Sequence, residues 1–374
     1  MNIGFDAKRV THNSTGLGNY SRFLVKILST YYPDNSYFLY TPARGHLSLE
    51  SLIKQNVSLN YPRRFFHKML KSLWRSKYIV KDLQQDNIAL FHGLSNELPI
   101  GIEKSGIPSV VTIHDLIFIR YPDFYKPVDR KIYYKKFKAA CEKADKIIAV
   151  SEMTKKDIIS FFAIPENKIE VIYQGCNSFF HEKITEEKLT RFREKYTLPK
   201  EFILNIGSIE SRKNALLIVK ALKKMSSGIP LIILGRRTAY AETIDQYINE
   251  NNLSDRVRIL SGVTTDELPA FYQSASLFIY PSLFEGFGIP IIEALHSGTP
   301  VIAATGSCLE EAGGMSSIYV DPNDDAQLAY EVDRVLSDKS LRDKMIADGK
   351  AYVKRFDDNV IATRIMALYN SLLK

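Results

Sequence analysis

Short apolar runs alternate with segments of helical periodicity along the whole of this chain. The first series is Asn2–Asp6, Tyr37–Tyr40, Ile88–Phe91, Ser109–Ile113, Lys146–Val150 and Ile169–Tyr173. After a polar stretch the alternation restarts with Phe202–Ile206, Pro230–Leu234, Arg256–Leu260, Leu277–Tyr280, Val301–Ala304 and Ile318–Val320. Short apolar runs of this kind predict strands of parallel sheets, and the helical segments between them predict the crossovers that cover both sheet faces. Two such series predict an α/β protein of two doubly wound, Rossmann-like domains, and 374 residues suit two domains better than one. The expected organisation is a first domain at 1–178, a linker at 179–200, a second domain at 201–355 and a terminal segment at 356–374. Ligands of such folds sit at the carboxyl ends of the strands, so the residues that follow each strand are the candidates for chemistry.

The richest of these junctions is Glu285-Gly-Phe-Gly-Ile-Pro-Ile-Ile-Glu293. Pro281-Ser282 ends the strand before it, Gly286 and Gly288 make a turn, and Pro290 suits the first turn of a helix. A helix N-terminus with glycines in front can bring backbone N–H groups against an anionic ligand, and the two carboxylates can accept hydrogen bonds from hydroxyls. The competing reading is a plain strand–helix corner with Glu293 on a solvated face. Gly207 ends another strand, and Arg212-Lys213 follow it just before a helix. Cations are unfavourable near a helix N-terminus unless an anion joins them, so this pair suggests a phosphate clamp, with an ordinary charged helix start as the competing reading. Arg236 and Gly262 end two further strands on the same rim. Gly16 and Gly18 form a glycine loop before the first helix. That loop is a poor dinucleotide fingerprint, because the strand-to-glycine gap is long, Ser21 takes the third position and no acidic residue follows the second strand. His114 beside Asp115 ends a strand of the first series and is read as either functional or structural.

Composition narrows the classes. No stretch approaches the ~20 apolar residues of a membrane span, and no basic-then-apolar leader opens the chain, which predicts no secretory signal. Cys141, Cys176 and Cys308 are scattered and odd in number, which suits a reducing cytoplasm, and no Cys/His cluster has zinc spacing in the sequence. The formal charge is +8. Residues 1–175 hold 26 basic and 16 acidic residues, a balance of +10, which leaves −2 for the remainder. The segment 63–81 carries seven basic residues and no acid. Its Phe66, Leu70, Leu73 and Trp74 fall at helical spacing between Lys68, Lys71, Arg75 and Lys77, which predicts a basic amphipathic helix for an anionic membrane surface, or else a core-facing helix with a solvated back. A second basic run spans Lys126 to Lys138. No nucleic-acid motif accompanies this charge, so nucleic acid is not an expected partner.

Several segments together carry a resemblance. They are Gly16-Leu-Gly18, His114-Asp115, Ala149-Val-Ser151, Asn205-Ile-Gly207 with Ser211-Arg-Lys-Asn214, Pro281-Ser282, the glutamates with seven residues between them, Ser297-Gly-Thr-Pro-Val301, Leu309-Glu-Glu-Ala-Gly313 and Val320-Asp-Pro322. In this order the chain resembles the family 4 retaining glycosyltransferases of GT-B fold, in particular bacterial mannosyltransferase-like enzymes of polysaccharide assembly. It departs from their pattern at Glu310, where a proline is frequent, and at Ile209-Glu210-Ser211, where a proline commonly precedes the arginine.

The resemblance implies two parallel sheets facing across a cleft, with the segment 356–374 crossing back to the first domain. It implies that Arg212 and Lys213 neutralise the diphosphate of a nucleotide sugar with help from the Gly16 backbone. It also implies that Glu293 binds ribose and that Glu285 holds the transferred sugar beside the Gly286-Phe287-Gly288 backbone. His114 is implied near the sugar, Gly207 at a close backbone approach, and Gly262 and Arg236 along the base. Retention in the family is usually explained by front-face attack with the leaving phosphate as base. The sequence contains no Asp-x-Asp motif for a divalent metal, so the cation pair is the expected substitute and no cofactor or metal is expected. GDP-mannose is the first donor by resemblance, followed by UDP-glucose, UDP-galactose or a deoxyhexose nucleotide. The acceptor is expected to be a saccharide, lipid-linked at the inner membrane face, with the protein cytoplasmic and peripheral there. A nucleotide-sugar epimerase on the same fold, or a non-catalytic membrane or nucleic-acid binding protein, stands as the alternative.

Overall fold

The computed structural model of the chain describes residues 1–47, 49–50 and 52–373, and Lys374 at the end of the terminal segment lies outside them. The chain divides into two compact units, Met1–Gly175 together with Asp357–Lys374, and Cys176–Phe356.

In the first unit the strands are β1 Asn2–Asp6, β2 Ser36–Tyr40, β3 Val57–Asn60, β4 Leu90–Gly93, β5 Ser109–Ile113, β6 Lys146–Ala149 and β7 Ile169–Val171. They form one parallel sheet in the order β3-β2-β1-β4-β5-β6-β7. β3 is the strand that the hydrophobic pattern misses. It is an edge strand of four residues in which Val57 alone is fully buried, so no apolar run marks it. The helix Asp358–Leu372 packs in this unit through Ile361, Ile365, Met366 and Tyr369, against a core that includes Leu24, Leu28 and Leu39.

The second unit holds β8 Ile203–Ile206, β9 Leu231–Leu234, β10 Val257–Leu260, β11 Leu277–Tyr280, β12 Val301–Ala304 and β13 Ile318–Val320. They too are all parallel, in the order β10-β9-β8-β11-β12-β13. β9, β11 and β12 are buried at every position, because helices cover both faces of the sheet. The chain winds outward from β8 to β10, then returns to pair β11 against β8. The order of the strands reverses at β8 and β11, and ligands of such sheets bind at the carboxyl ends of the strands at such a switch point. Within 179–200 the chain forms the helix Glu186–Tyr196, whose Phe192 and Tyr196 rings each lie 4.9 Å from Phe271. With Leu189 they make a narrow stripe at i, i+3 and i+7, which is easily lost among the charges around it.

The basic segment 63–81 is not one amphipathic helix. It breaks into Phe65–Met69, Lys71–Leu73, a π-helical turn Trp74–Tyr78 and a further helix from Ile79. Trp74 turns inward, fully buried, and its indole N–H donates to Asp82 Oδ2 at 2.7 Å. Arg75 is likewise not a surface charge. Its guanidinium donates to Asp6 at 2.5–2.9 Å and to Glu97 at 2.9 Å, with its side chain only 15% exposed. Phe65, Phe66, Met69, Leu70 and Leu73 stay exposed beside Lys68 and Lys71. Reversing one charge of a mostly buried pair leaves carboxylates unpaired in low dielectric, so Arg75→Glu should cost about 3–5 kcal/mol of stability. Lys68→Glu, on the surface, should fall within about 0.5 kcal/mol of the parent. Urea denaturation of the two variants checks this, and equal midpoints would refute the structural role given to Arg75.

Candidate active site

β8 and β11 lie side by side, so the segments leaving their carboxyl ends meet at the switch point of the second sheet. Gly207 follows β8 with φ +151°, and the turn Ser211–Lys213 ends at Asn214, which adopts φ +57° before the helix Ala215–Ala221. The Asn214 amide donates to the carbonyls of Pro281 at 3.2 Å and Pro322 at 2.7 Å. The Leu283 N–H donates to the Arg212 carbonyl at 2.9 Å, so the two loops are tied by their own backbones.

Between these ties the side chains converge. Lys213 Nζ donates to Glu285 Oε1 and to Tyr280 Oη, both at 2.6 Å. Arg212 Nη1 lies 2.8 Å from the same Glu285 oxygen and donates to the Phe284 carbonyl at 2.7 Å. Tyr280 Oη donates to Glu285 Oε1 at 3.2 Å. Burial alone would raise the Glu285 carboxyl, but Lys213 and Arg212 outweigh it and hold its pKa down at about 2. The same pairing raises Lys213 despite burial. Glu210 lies 3.9 Å from Arg212 but is 40% exposed, so solvent screens it and the pair of cations faces mainly one carboxylate. A second anion is the natural complement of that imbalance.

Glu293 sits on the helix Ile289–His296, whose N-cap is Gly288. Gly288 has φ +141°, a conformation that strains an L side chain, and a Cβ there would crowd the Ala312 side chain at 3.0 Å. The fully buried Tyr272 donates its hydroxyl to Glu293 Oε2 at 2.9 Å. Burial raises the Glu293 carboxyl to about 8, only partly opposed by that hydrogen bond. The two glutamates thus differ sharply, one fixed as an anion and the other near the middle of its titration at neutral to slightly basic pH. Phe287 points inward onto Phe356, with centroids 5.4 Å apart, so its backbone rather than its ring faces the loop. Cys308 Sγ lies 3.0 Å from the Glu285 carbonyl and 2.9 Å from that of Phe287, a thiol staple across the glycine turn.

Gly262 has φ +79° and is exposed, as is Arg236; both follow neighbouring strands of the same sheet. In the first unit Gly16 opens the helix Gly16–Tyr31, and the Gly18 N–H donates to Asn13 Oδ1 at 3.2 Å. His114 is buried, with Nε2 2.9 Å from the Leu94 carbonyl and Nδ1 3.3 Å from the Gln174 amide. That pairing calls for the Nε2–H tautomer, and burial lowers the imidazole to about 4, so it is neutral at physiological pH. Sequence reasoning placed Arg212, Lys213 and Glu285 in one neighbourhood but missed Tyr280, Tyr272 and Cys308. Tyr280 carried a usable signal, as the last polar-tipped residue of β11 before the turn. Tyr272 and Cys308 carried none, since their roles come from packing alone.

A carboxyl whose folded pKa exceeds its unfolded value holds a proton that the unfolded chain has released, so stability falls as pH rises between the two values. For Glu293 that window runs from 4.5 to about 8. The decline is at most about 1.4 kcal/mol per pH unit. Glu293→Gln should flatten it, as measured by urea denaturation at a series of pH values. An unchanged pH slope would show that Glu293 is not the group that titrates.

Comparison with known proteins agrees across both units. The model of "Glycosyltransferase Family 4" matches residues 34–178, and that of "Glycosyl transferases group 1" matches residues 186–352. The chain is 27% identical over 394 residues to O-antigen chain mannosyltransferase B of Escherichia coli, covering 100% of each. It is 31% identical over 253 residues to O-antigen chain mannosyltransferase RfbU of Salmonella typhimurium, covering 67% of this chain and 66% of the relative. Among solved structures, Anabaena Alr3699/HepE in complex with UDP and glucose superposes with a TM-score of 0.77 at 19% identity over 100% of both chains. Sucrose-phosphate synthase from Thermosynechococcus elongatus gives 0.78 at 21% identity over 100% of this chain and 99% of that one. At those identities the structural likeness shows the fold.

Proposed function

We propose that this chain, which belongs to glycosyltransferase family 4 and is a glycosyltransferase of polysaccharide assembly, moves a hexose from a nucleotide-diphosphate sugar to a saccharide acceptor, with retention and without a metal at the diphosphate. The observation that carries this reading is the convergence of Arg212 and Lys213 on one carboxylate at the sheet's switch point. As the anomeric bond breaks, the leaving diphosphate gains negative charge, and cations already held in place stabilise it without reorganising. Glu285, pinned as an anion by the same cations, accepts hydrogen bonds from hydroxyls of the transferred sugar. Glu293 accepts them from the ribose diol. Each glutamate has its own partners, Lys213 and Arg212 for one and Tyr272 for the other, which suits ligand binding better than a nucleophile–acid pair. GDP-mannose is the proposed donor, on the strength of relatives named as mannosyltransferases.

The acceptor is proposed to be lipid-linked, with the protein at an anionic membrane surface on the cytoplasmic side. No helix among the described residues is long and apolar enough to cross a membrane. Contact would run through exposed Phe65, Phe66 and Met69 with Lys68 and Lys71, whereas Arg75 has a structural role. Vesicle flotation with anionic lipid checks this, and binding unchanged by Lys68→Glu with Lys71→Glu would refute it.

Replacing both Arg212 and Lys213 by Ala should abolish measurable transfer, since each lost contact to developing charge costs about 2.7–4 kcal/mol, and circular dichroism separates this from any stability lost by leaving Glu285 unpaired. Turnover retained in the double variant would show that the diphosphate binds elsewhere. In the same assay EDTA should leave transfer intact. Product formed from donor without acceptor would favour an epimerase, and a thermal-shift series with GDP, UDP, dTDP and ADP would identify the base.

A further inference from the structure

We infer that Cys176, His181 and His296 form a three-ligand site for a soft divalent transition metal such as zinc, apart from the cation pair of the active site. The sequence separates these residues by up to 120 positions, so no spacing motif announces them. The fold brings the thiol and the two imidazoles together, with one ligand atom from each all within 4.8 Å of one another. Cys176 Sγ and His181 Nε2 are 3.7 Å apart. With Zn–S near 2.3 Å and Zn–N near 2.0–2.1 Å, the S···N edge of a tetrahedron is about 3.6 Å. The rings of His181 and His296 are stacked, with centroids 3.7 Å apart and planes at 17°, so one ring must turn for both nitrogens to point at a single ion. His181 is exposed on the short turn Ser178–His181, so its ring can rotate toward an ion, whereas Cys176 is buried.

The two histidines border a cavity of about 210 Å³ that also reaches Glu182, Glu186 and Gln273. Cys176 is buried behind them, and with three protein ligands a tetrahedral ion keeps a fourth position for water or a carboxylate from the cavity side. One thiolate and two imidazoles favour zinc or cobalt over magnesium or calcium, which take oxygen ligands. Binding converts the Cys176 thiol to a thiolate and releases one proton to solvent. The ion would tie the segment before His181 to the C-terminal end of the helix Ile289–His296. Phe180 in that segment lies 5.8 Å from the ring of Tyr272, which holds Glu293. The ion's role would be structural, at a distance from the transferred group, and its existence does not depend on the proposed function.

The test is cobalt titration of the reduced, chelator-treated chain. A near-ultraviolet thiolate-to-cobalt charge-transfer band should appear, saturate at one equivalent and disappear on addition of zinc. It should be lost in Cys176→Ser and in His181→Ala, the second of which alters an exposed turn and leaves the fold intact. Zinc should raise the melting temperature of the parent chain and not of His181→Ala. No band from the folded parent, or a band that survives Cys176→Ser, overturns the proposal.

Discussion

The second unit is organised around one electrostatic constraint, a carboxylate shared by two cations where the winding of a parallel sheet reverses. Glu285 can stay ionised at low exposure only because Lys213 and Arg212 lie within hydrogen-bonding distance. In turn the cations can approach each other only because Glu285 lies between them and Tyr280 accepts from Lys213. Breaking either side would leave charge in a poorly solvated crevice, so the loops after β8 and β11 are bound to one geometry. A backbone tie from Leu283 to Arg212 and side-chain amide ties from Asn214 to the Pro281 and Pro322 carbonyls hold that geometry before any ligand arrives.

Preorganisation of this kind is what group transfer from a diphosphate demands. The site must supply positive charge at a leaving group and fix hydroxyls nearby, and it must do so without moving charges during the step. The two glutamates divide the work by environment rather than by residue type. Cations hold one as a permanent anion, while burial beside Tyr272 keeps the other close to its titration point. The thiol of Cys308 and the positive φ of Gly288 hold the turn that separates them.

The first unit shows the opposite use of charge. Its surplus of basic residues looks uniform along 63–81, yet Arg75 is consumed by Asp6 and Glu97 while Lys68 stays on the surface. A π-helical turn at Trp74–Tyr78 rotates the segment so that Trp74 goes inward and the preceding phenylalanines stay out. Periodicity alone cannot reveal such a turn, because inserting one residue per turn changes which positions share a face.

Much of the architecture was legible in the amino-acid sequence. The strands β8 to β13 are apolar runs bounded by turn residues, and local patterning sets them because a buried parallel strand needs apolar side chains on both faces. The glycine turn between Glu285 and Glu293 and the Arg212-Lys213 pair could be read for the same reason, since each is a local break of pattern at a strand end. The edge strand β3, the narrow stripe on Glu186–Tyr196 and the burial of Arg75 could not, since what defines them is a neighbour far along the chain. The same holds for Tyr272 against Glu293, Cys308 across the glycine turn, and Cys176 beside His181 and His296. Sequence determines what each segment can bury. Only the tertiary structure decides which partner it meets, because hydrogen bonds, ion pairs and metal ligation depend on distances that no local pattern encodes.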